Sequence, residues 1–233
     1  MSDIVSRIHE SGRWNLYVVL AISCAVACMM VLARVWYYDT SGNHFFLGWN
    51  LFLALIPFAI SQWMLFVPPR TNAALFSGLF LWLLFFPNAP YLMTDLFHLS
   101  DNTTVPIWYD IVLFLAFAWN GLILGFLSLF DMQGLIESRF GRSAGWLFAT
   151  GAIVLGSFGI FIGRFLRWNS WDVFTRPGPL FSDIASHVAQ PIEYPSTYGF
   201  TIVFSAFLML GYLTLRSLIE LKSPREALAG ARE

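Results

Sequence analysis

Charge is what this sequence has least of. Only 12% of its 233 residues are Asp, Glu, Lys or Arg, about half the roughly 25% usual in soluble domains. A soluble fold of this length cannot cover its surface with so few charges. The net charge of −1 leaves no basic field, which speaks against nucleic acid as a partner. Cysteine is almost absent. Cys24 and Cys28 stand four residues apart inside the first apolar run, a poor geometry for a disulfide within a helix. They read as small packing residues. Ala21-Ile22-Ser23-Cys24 faintly resembles a lipoprotein cleavage site, but the apolar stretch continues well past it. That length argues against cleavage and for a retained signal anchor. Also missing are a Cys-x-x-Cys pair, a His-Glu-x-x-His helix, a phosphate-cradling glycine loop and a Ser-His-Asp constellation. No two histidines lie inside apolar runs at matching depth, so no haem site is legible. No internal repeat or low-complexity tract appears, and the sequence names no cofactor.

Apolar residues are abundant. They make up 58% of the chain, with 24 Phe and 10 Trp, and mean hydropathy is +0.66. A membrane-spanning helix needs about 20 mostly apolar residues. Six runs qualify, at about 16–37, 46–67, 74–93, 107–130, 144–163 and 199–219. The expected fold is an all-α, polytopic transmembrane helix bundle forming one domain over 1–233, with the lipid bilayer as its surroundings. Ser41-Gly42-Asn43, Pro68-Pro69-Arg70, Asp101-Asn102-Thr103, Gly141-Arg142 and Pro177-Gly178-Pro179 supply the turns. Residues 222–233 form a polar tail expected to fray. Between spans five and six, Leu180, Phe181, Ile184 and Val188 recur at helical spacing, with Asp183 and His187 turned elsewhere. Pro179 can start that helix and Pro191 can stop it. It reads as a short amphipathic helix at the membrane interface, with Asp183 and His187 as a surface ion pair.

Lys and Arg set orientation. With the N-terminus inside, Arg7, Arg13, Arg70, Arg139, Arg142, Arg216, Lys222, Arg225 and Arg232 lie inside, and Arg34, Arg164, Arg167 and Arg176 outside. Both termini of this cell-membrane protein are therefore expected in the cytoplasm. Trp14 and Trp146 would mark the inner interface. Trp36, Trp49, Trp108, Trp168 and Trp171 would mark the outer one.

Polar groups at membrane depth need partners or a function. On this topology they collect in the outer half: Asn50, Asn88, Asp95, His98, Tyr109, Asp110, Arg164, Arg167, Asn169 and Asp172. The inner half holds little beyond Gln62 and Asp131. Pro87 and Pro90 remove two helical hydrogen bonds and disfavour helical geometry just before them. The third span is therefore expected to kink or unwind near Asn88, leaving free carbonyls. Transporters use such breaks for ligands; neighbouring side chains and water can equally satisfy them. Asp95 and His98, three residues apart, suit a metal with a third ligand from Asp110 or Asp172, a base with its orienting carboxylate, or a simple ion pair. Asp110 is also at home in a first helical turn. Asn120 can line the same cavity or join helices. Arg164, Arg167 and Trp171 share one helical face. The arginines then snorkel to lipid phosphates, pair with the aspartates, or hold an anion. Asn102-Thr103-Thr104 fits an N-glycosylation acceptor, meaningful only in a eukaryotic secretory pathway.

Pro87-Asn88-Ala89-Pro90-Tyr91, Thr94-Asp95, His98-Leu99, Tyr109-Asp110, Gly163-Arg164-Phe165 and Arg167-Trp168-Asn169-Ser170-Trp171-Asp172 together resemble a bacterial membrane-protein family known as domain of unknown function 1361. The likeness runs from the first span to the sixth. It implies a multi-span membrane protein and carries no catalytic assignment.

Three functions stay open: transport or ligand capture, an enzyme acting on a small anionic or lipid-linked substrate, and a non-catalytic assembly partner. The candidate ligand residues are Asn88, Asp95, His98, Asp110, Arg164, Arg167, Asn169 and Asp172. At least one of Asp95 and Asp110 is expected within hydrogen-bonding reach of Arg164 or Arg167. A ligand-site role for Asp95 predicts that Asp95→Asn leaves stability intact, whereas Arg164→Lys is expected to lower it.

Overall fold

The computed structural model describes residues 12–38, 44–99 and 105–220. The Ser41 and Asp101 turns, the glycosylation pattern, the polar tail, and Arg7, Lys222, Arg225 and Arg232 lie outside them. Among the described residues the chain is helical throughout: α1 (Trp14–Tyr38), α2 (Phe45–Phe66), α3 (Asn72–Phe85), α4 (Asn88–Tyr91), a 3-10 turn (Leu92–His98), α5 (Ile107–Phe140), α6 (Arg142–Phe165), α7 (Asp172–Thr175), α8 (Pro177–Ala189) and α9 (Pro195–Glu220). Six segments are long and apolar enough to cross a membrane, with Asn72–His98 counting as one. The protein is a multi-pass membrane protein.

The centre of the bundle is α5. Its most apolar window is 56% buried, against 11% for α1 and for α9, which therefore form the periphery. One core cluster joins Trp82, Phe86, Phe126, Ile153 and Tyr212 across α3, α5, α6 and α9. A second joins Val31, Leu51, Ala89 and Phe117 across α1, α2, α4 and α5. A third, smaller cluster of Phe161, Ile162 and Leu180 seats α8 on the end of α6. With lipid on its other side, α1 gains little from apolar burial, and ion pairs anchor it. Arg13 meets Asp131 at 2.6 and 2.9 Å, and Arg34 meets Asp110 at 2.7 and 2.9 Å. These two clasps stand about 30 Å apart along α5, roughly the thickness of the hydrocarbon core. Gln62 joins the first by donating to Asp131 and accepting from Tyr17. Arg13, Tyr17, Gln62 and Asp131 thus form one network at the end of the bundle away from Asp110, and Asp131 raises the pKa of Arg13 within it.

The third span departs from its expectation. Phe86 and Pro87, which link α3 to α4, both keep right-handed helical dihedrals, so the chain tightens instead of unwinding. Ala89 N–H bonds Phe86 O three residues back, and Tyr91 N–H bonds Pro87 O. The Phe86 carbonyl, expected to be free because Pro90 cannot serve it, is thus occupied, and the Phe85 carbonyl accepts from the Asn88 side-chain amide at 3.0 Å. The break fits because its neighbours are small. A Cβ on Gly121 of α5 would collide with the Ala89 carbonyl, and one on Gly156 of α6 would come 2.9 Å from the Phe86 ring. Small residues let helices approach closely in membranes.

Helix α8 begins at Pro177, two residues earlier than expected, and its buried face differs. Leu180 and His187 are buried while Phe181 and Val188 are exposed. The imidazole of His187 stacks on Tyr194 at 3.9 Å and lies 2.7 Å from Thr197 Oγ1. Asp183 does not pair with it. It accepts instead from Trp168 Nε1 at 2.9 Å.

Candidate functional site

The 3-10 turn and the end of α6 meet through Arg164. Its guanidinium pairs with Asp95 and donates from Nε to Thr94 Oγ1 at 2.9 Å. It also lies 4.4 Å from the Tyr91 ring centroid. Thr94 in turn donates to the Tyr91 carbonyl at 2.7 Å. The other oxygen of Asp95 accepts from Asn50 Nδ2 at 2.9 Å. Asp95 is fully buried, so both its oxygens are satisfied by protein, as a buried carboxylate requires. Tight 3-10 winding eclipses residues three apart, which puts His98 Nδ1 3.3 Å from the Asp95 carbonyl and 3.5 Å from Arg164. Asp95, His98 and Arg164 therefore converge as expected.

Arg167 does not continue the face of Arg164, because α6 ends at Phe165. Trp168 N–H turns back to the Ile162 carbonyl at 3.3 Å, and Arg167 takes φ = 62°. Helix ends commonly place a left-handed residue here, usually glycine. For a residue with a Cβ that conformation costs about 1–2 kcal/mol. The exposed Arg167 side chain has no ion-pair or hydrogen-bond partner among the described residues. It lines a polar cleft of about 490 Å³ with Tyr91, Phe97, His98, Gly163, Arg164 and Asn169.

Three candidates stand apart from that cleft as ligands. Asp110 pairs with Arg34, both buried, on the α1–α5 seam. Nearby, the Phe46 ring lies 4.9 Å from His98 of the cleft and 6.5 Å from Phe114, four residues along α5 from Asp110. Burial lowers the pKa of His44, with Arg34 acting in the same direction and Asp110 opposing. Asp172 folds its own loop. It accepts from Asn169 N–H at 2.9 Å, Thr175 Oγ1 at 3.0 Å and Arg176 at 3.2 Å. The Asn169 backbone donor is the largest cause holding its carboxyl below the usual range. Asn88, besides mending the break in the third span, donates to Ser170 Oγ at 3.0 Å. With Asp110 and Asp172 committed, neither completes a metal site with Asp95 and His98. Among the described residues no three His, Cys, Asp or Glu side chains cluster as ligands would. Asn120 is buried, donating to Ala116 O at 2.8 Å.

Beside the cleft runs an apolar groove of about 470 Å³ between the third span and α6, with Trp168, Val173 and α8 at its polar end. The cleft and the groove share Tyr91, Gly163 and Asn169. Asn50, Thr94, Tyr91 and Ser170 belong to the site without having been candidates. Asn50 carried the one available signal, an amide one turn inside the second span. The hydroxyls of Thr94 and Ser170 gave none, because such groups usually satisfy local backbone.

No curated protein and no solved structure matches the chain. A family match covers residues 49–210, starting in α2 and ending in α9. The likeness thus begins at the second span and leaves α1 outside. By that match, over most of its length, the chain belongs to the family described as Protein of unknown function (DUF1361).

Proposed function

We propose that this protein binds an anionic ligand at the Arg164 end of its bundle, and that this end faces the extracytoplasmic side with both termini in the cytoplasm. Arg167 carries the reading. It holds a strained backbone conformation, presents a guanidinium with no ion-pair or hydrogen-bond partner among the described residues, and lines a cleft beside Arg164. Asp95 already balances Arg164, so among the described residues the cleft keeps one uncompensated cation. A guanidinium fork suits phosphate and carboxylate oxygens.

The enzyme reading has less support. Both oxygens of Asp95 are engaged by Arg164 and Asn50, and the His98 ring faces a backbone carbonyl rather than a carboxylate. General acid–base catalysis needs a group free to move a proton at the ligand. The assembly-partner reading suits the two clasps of α1 but gives Arg167 no work. Orientation draws support from the count of basic residues. Arg34, Arg164, Arg167 and Arg176 fall on the cleft side of the spans, and Arg7, Arg13, Arg70, Arg139, Arg142, Arg216, Lys222, Arg225 and Arg232 on the other. The side richer in Lys and Arg at short loops favours the cytoplasm.

The test is a thermal melt of purified protein in neutral detergent, titrated with inorganic phosphate. Wild type is expected to gain melting temperature at constant ionic strength, and Arg167→Ala to lose that gain. An equal gain in both proteins would contradict the role given to Arg167.

A further inference from the structure

We infer that the ligand is an amphiphile: a phosphate-bearing lipid with its headgroup at Arg167 and one hydrocarbon chain in the adjoining groove. This rests on the anion reading above and deepens it. The groove adjoins the cleft, the two sharing Tyr91, Gly163 and Asn169 as lining. It extends along α6 from Gly163 to Leu155, about 12 Å at 1.5 Å per residue. That is most of the roughly 15 Å half-thickness of a bilayer's hydrocarbon core, the depth one chain of one leaflet occupies.

Polarity is graded along it in the sense such a molecule needs. Its polar side chains, Asn50, Asn88, Asn169 and Ser170, all lie at the cleft end, and the deep part is leucine, isoleucine and phenylalanine. The Asn50 and Asn88 amides are already spent on Asp95, Phe85 O and Ser170. The lip of the groove opens toward lipid: Trp49, Phe80 and Leu155 are each more than half exposed on segments apolar enough to span the membrane. A chain can enter sideways from the bilayer while its headgroup stays at the cleft. Leu180 and Ile184 of α8 reach the groove from above, and the Trp168–Asp183 hydrogen bond holds that roof. A free anion would use the cleft alone and a neutral lipid the groove alone. Only an amphiphile with an anionic head uses both.

The test takes full-length protein, delipidated in neutral detergent, and measures binding by native mass spectrometry. The probes are phosphatidylglycerol, phosphatidylcholine and inorganic phosphate. Wild type is compared with Arg167→Gly and with Leu155→Trp, which narrows the groove from an exposed position and leaves the core untouched. Phosphatidylglycerol is expected to bind about tenfold more tightly than phosphatidylcholine. Arg167→Gly should abolish that preference. Leu155→Trp should weaken phosphatidylglycerol by a similar factor while leaving the phosphate-induced melting shift unchanged. If phosphate still acts through Arg167 but the two lipids bind alike and Leu155→Trp is silent, the amphiphile inference falls and the anion reading stands. If Arg167→Gly changes neither lipid preference nor phosphate response, both fall.

Discussion

Arg164 meets a carboxylate, a hydroxyl and an aromatic face at once, and each contact satisfies a different part of its guanidinium. An arginine at that depth needs a carboxylate, and that need makes the pair legible in the sequence. A ligand role for Asp95 predicts that its charge can be removed without loss. The geometry argues the opposite: Asp95→Asn would strand Arg164 beside a neutral amide. Breaking a buried pair costs about 3–5 kcal/mol, and the 11% exposure of the Arg164 side chain points to the low end. Thermal melts should show Asp95→Asn clearly below wild type; an unchanged melting temperature would contradict a structural role. Asp110 stands apart from the cleft for a related reason. Its partner Arg34 lies near the end of α1 and reads in the sequence only as one of the outer arginines, and only folding carries it to α5. Partners separated by 76 residues leave no periodic trace in a sequence.

At the scale of elements, hydrophobic run length located all six spans, because bilayer thickness imposes it. The state of the third span was not legible. Proline forecasts lost hydrogen bonds, but whether the chain opens or tightens depends on what packs around it, here Gly121 and Gly156. Gly121→Ala should push the Ala89 carbonyl away and disturb the Asp95 turn. The expected result is a lower melting temperature and a weaker phosphate response; wild-type behaviour would mean the fit has slack. The loop after α6 was read as a continued helix face, and Arg167 instead turns the chain. Asp172 ties that turn together with its pKa lowered. A depressed carboxylate stabilises fully above its unfolded pKa of about 3.9, and this contribution disappears as pH falls through the still lower folded value. Cleavage between Phe165 and Pro177 by an acid-active protease should therefore rise only below about pH 4, and Asp172→Asn should be cleaved readily at neutral pH. Equal resistance in the two proteins at neutral pH would remove Asp172 from the account of this loop.

For the whole molecule, the central α5 carries two ion-pair clasps for α1 at one seam, while the cleft and groove are lined by α2, the third span, α6 and the loop and helices that follow α6. Composition was enough to show a membrane protein, and the outward collection of polar residues was enough to suggest where a site lies. It was not enough to separate ligand groups from structural ones, since Asp110 and Asp172 have the same residue type and predicted depth as Asp95 but different partners. The proposed orientation predicts that Ser182→Cys, on an exposed position of α8, reacts with an impermeant thiol reagent in intact cells. Labelling only after permeabilisation would reverse the orientation. The central claim, that Arg167 sits where it does to hold an anion, is tested most directly by Arg167→Gly, because glycine accepts φ = 62° without strain. The melting temperature of the variant, with and without phosphate, is predicted to rise above wild type in the absence of phosphate, by the equivalent of about 1 kcal/mol, and to show no further gain when phosphate is added. A variant that melts lower than wild type, or still responds to phosphate, would contradict the claim.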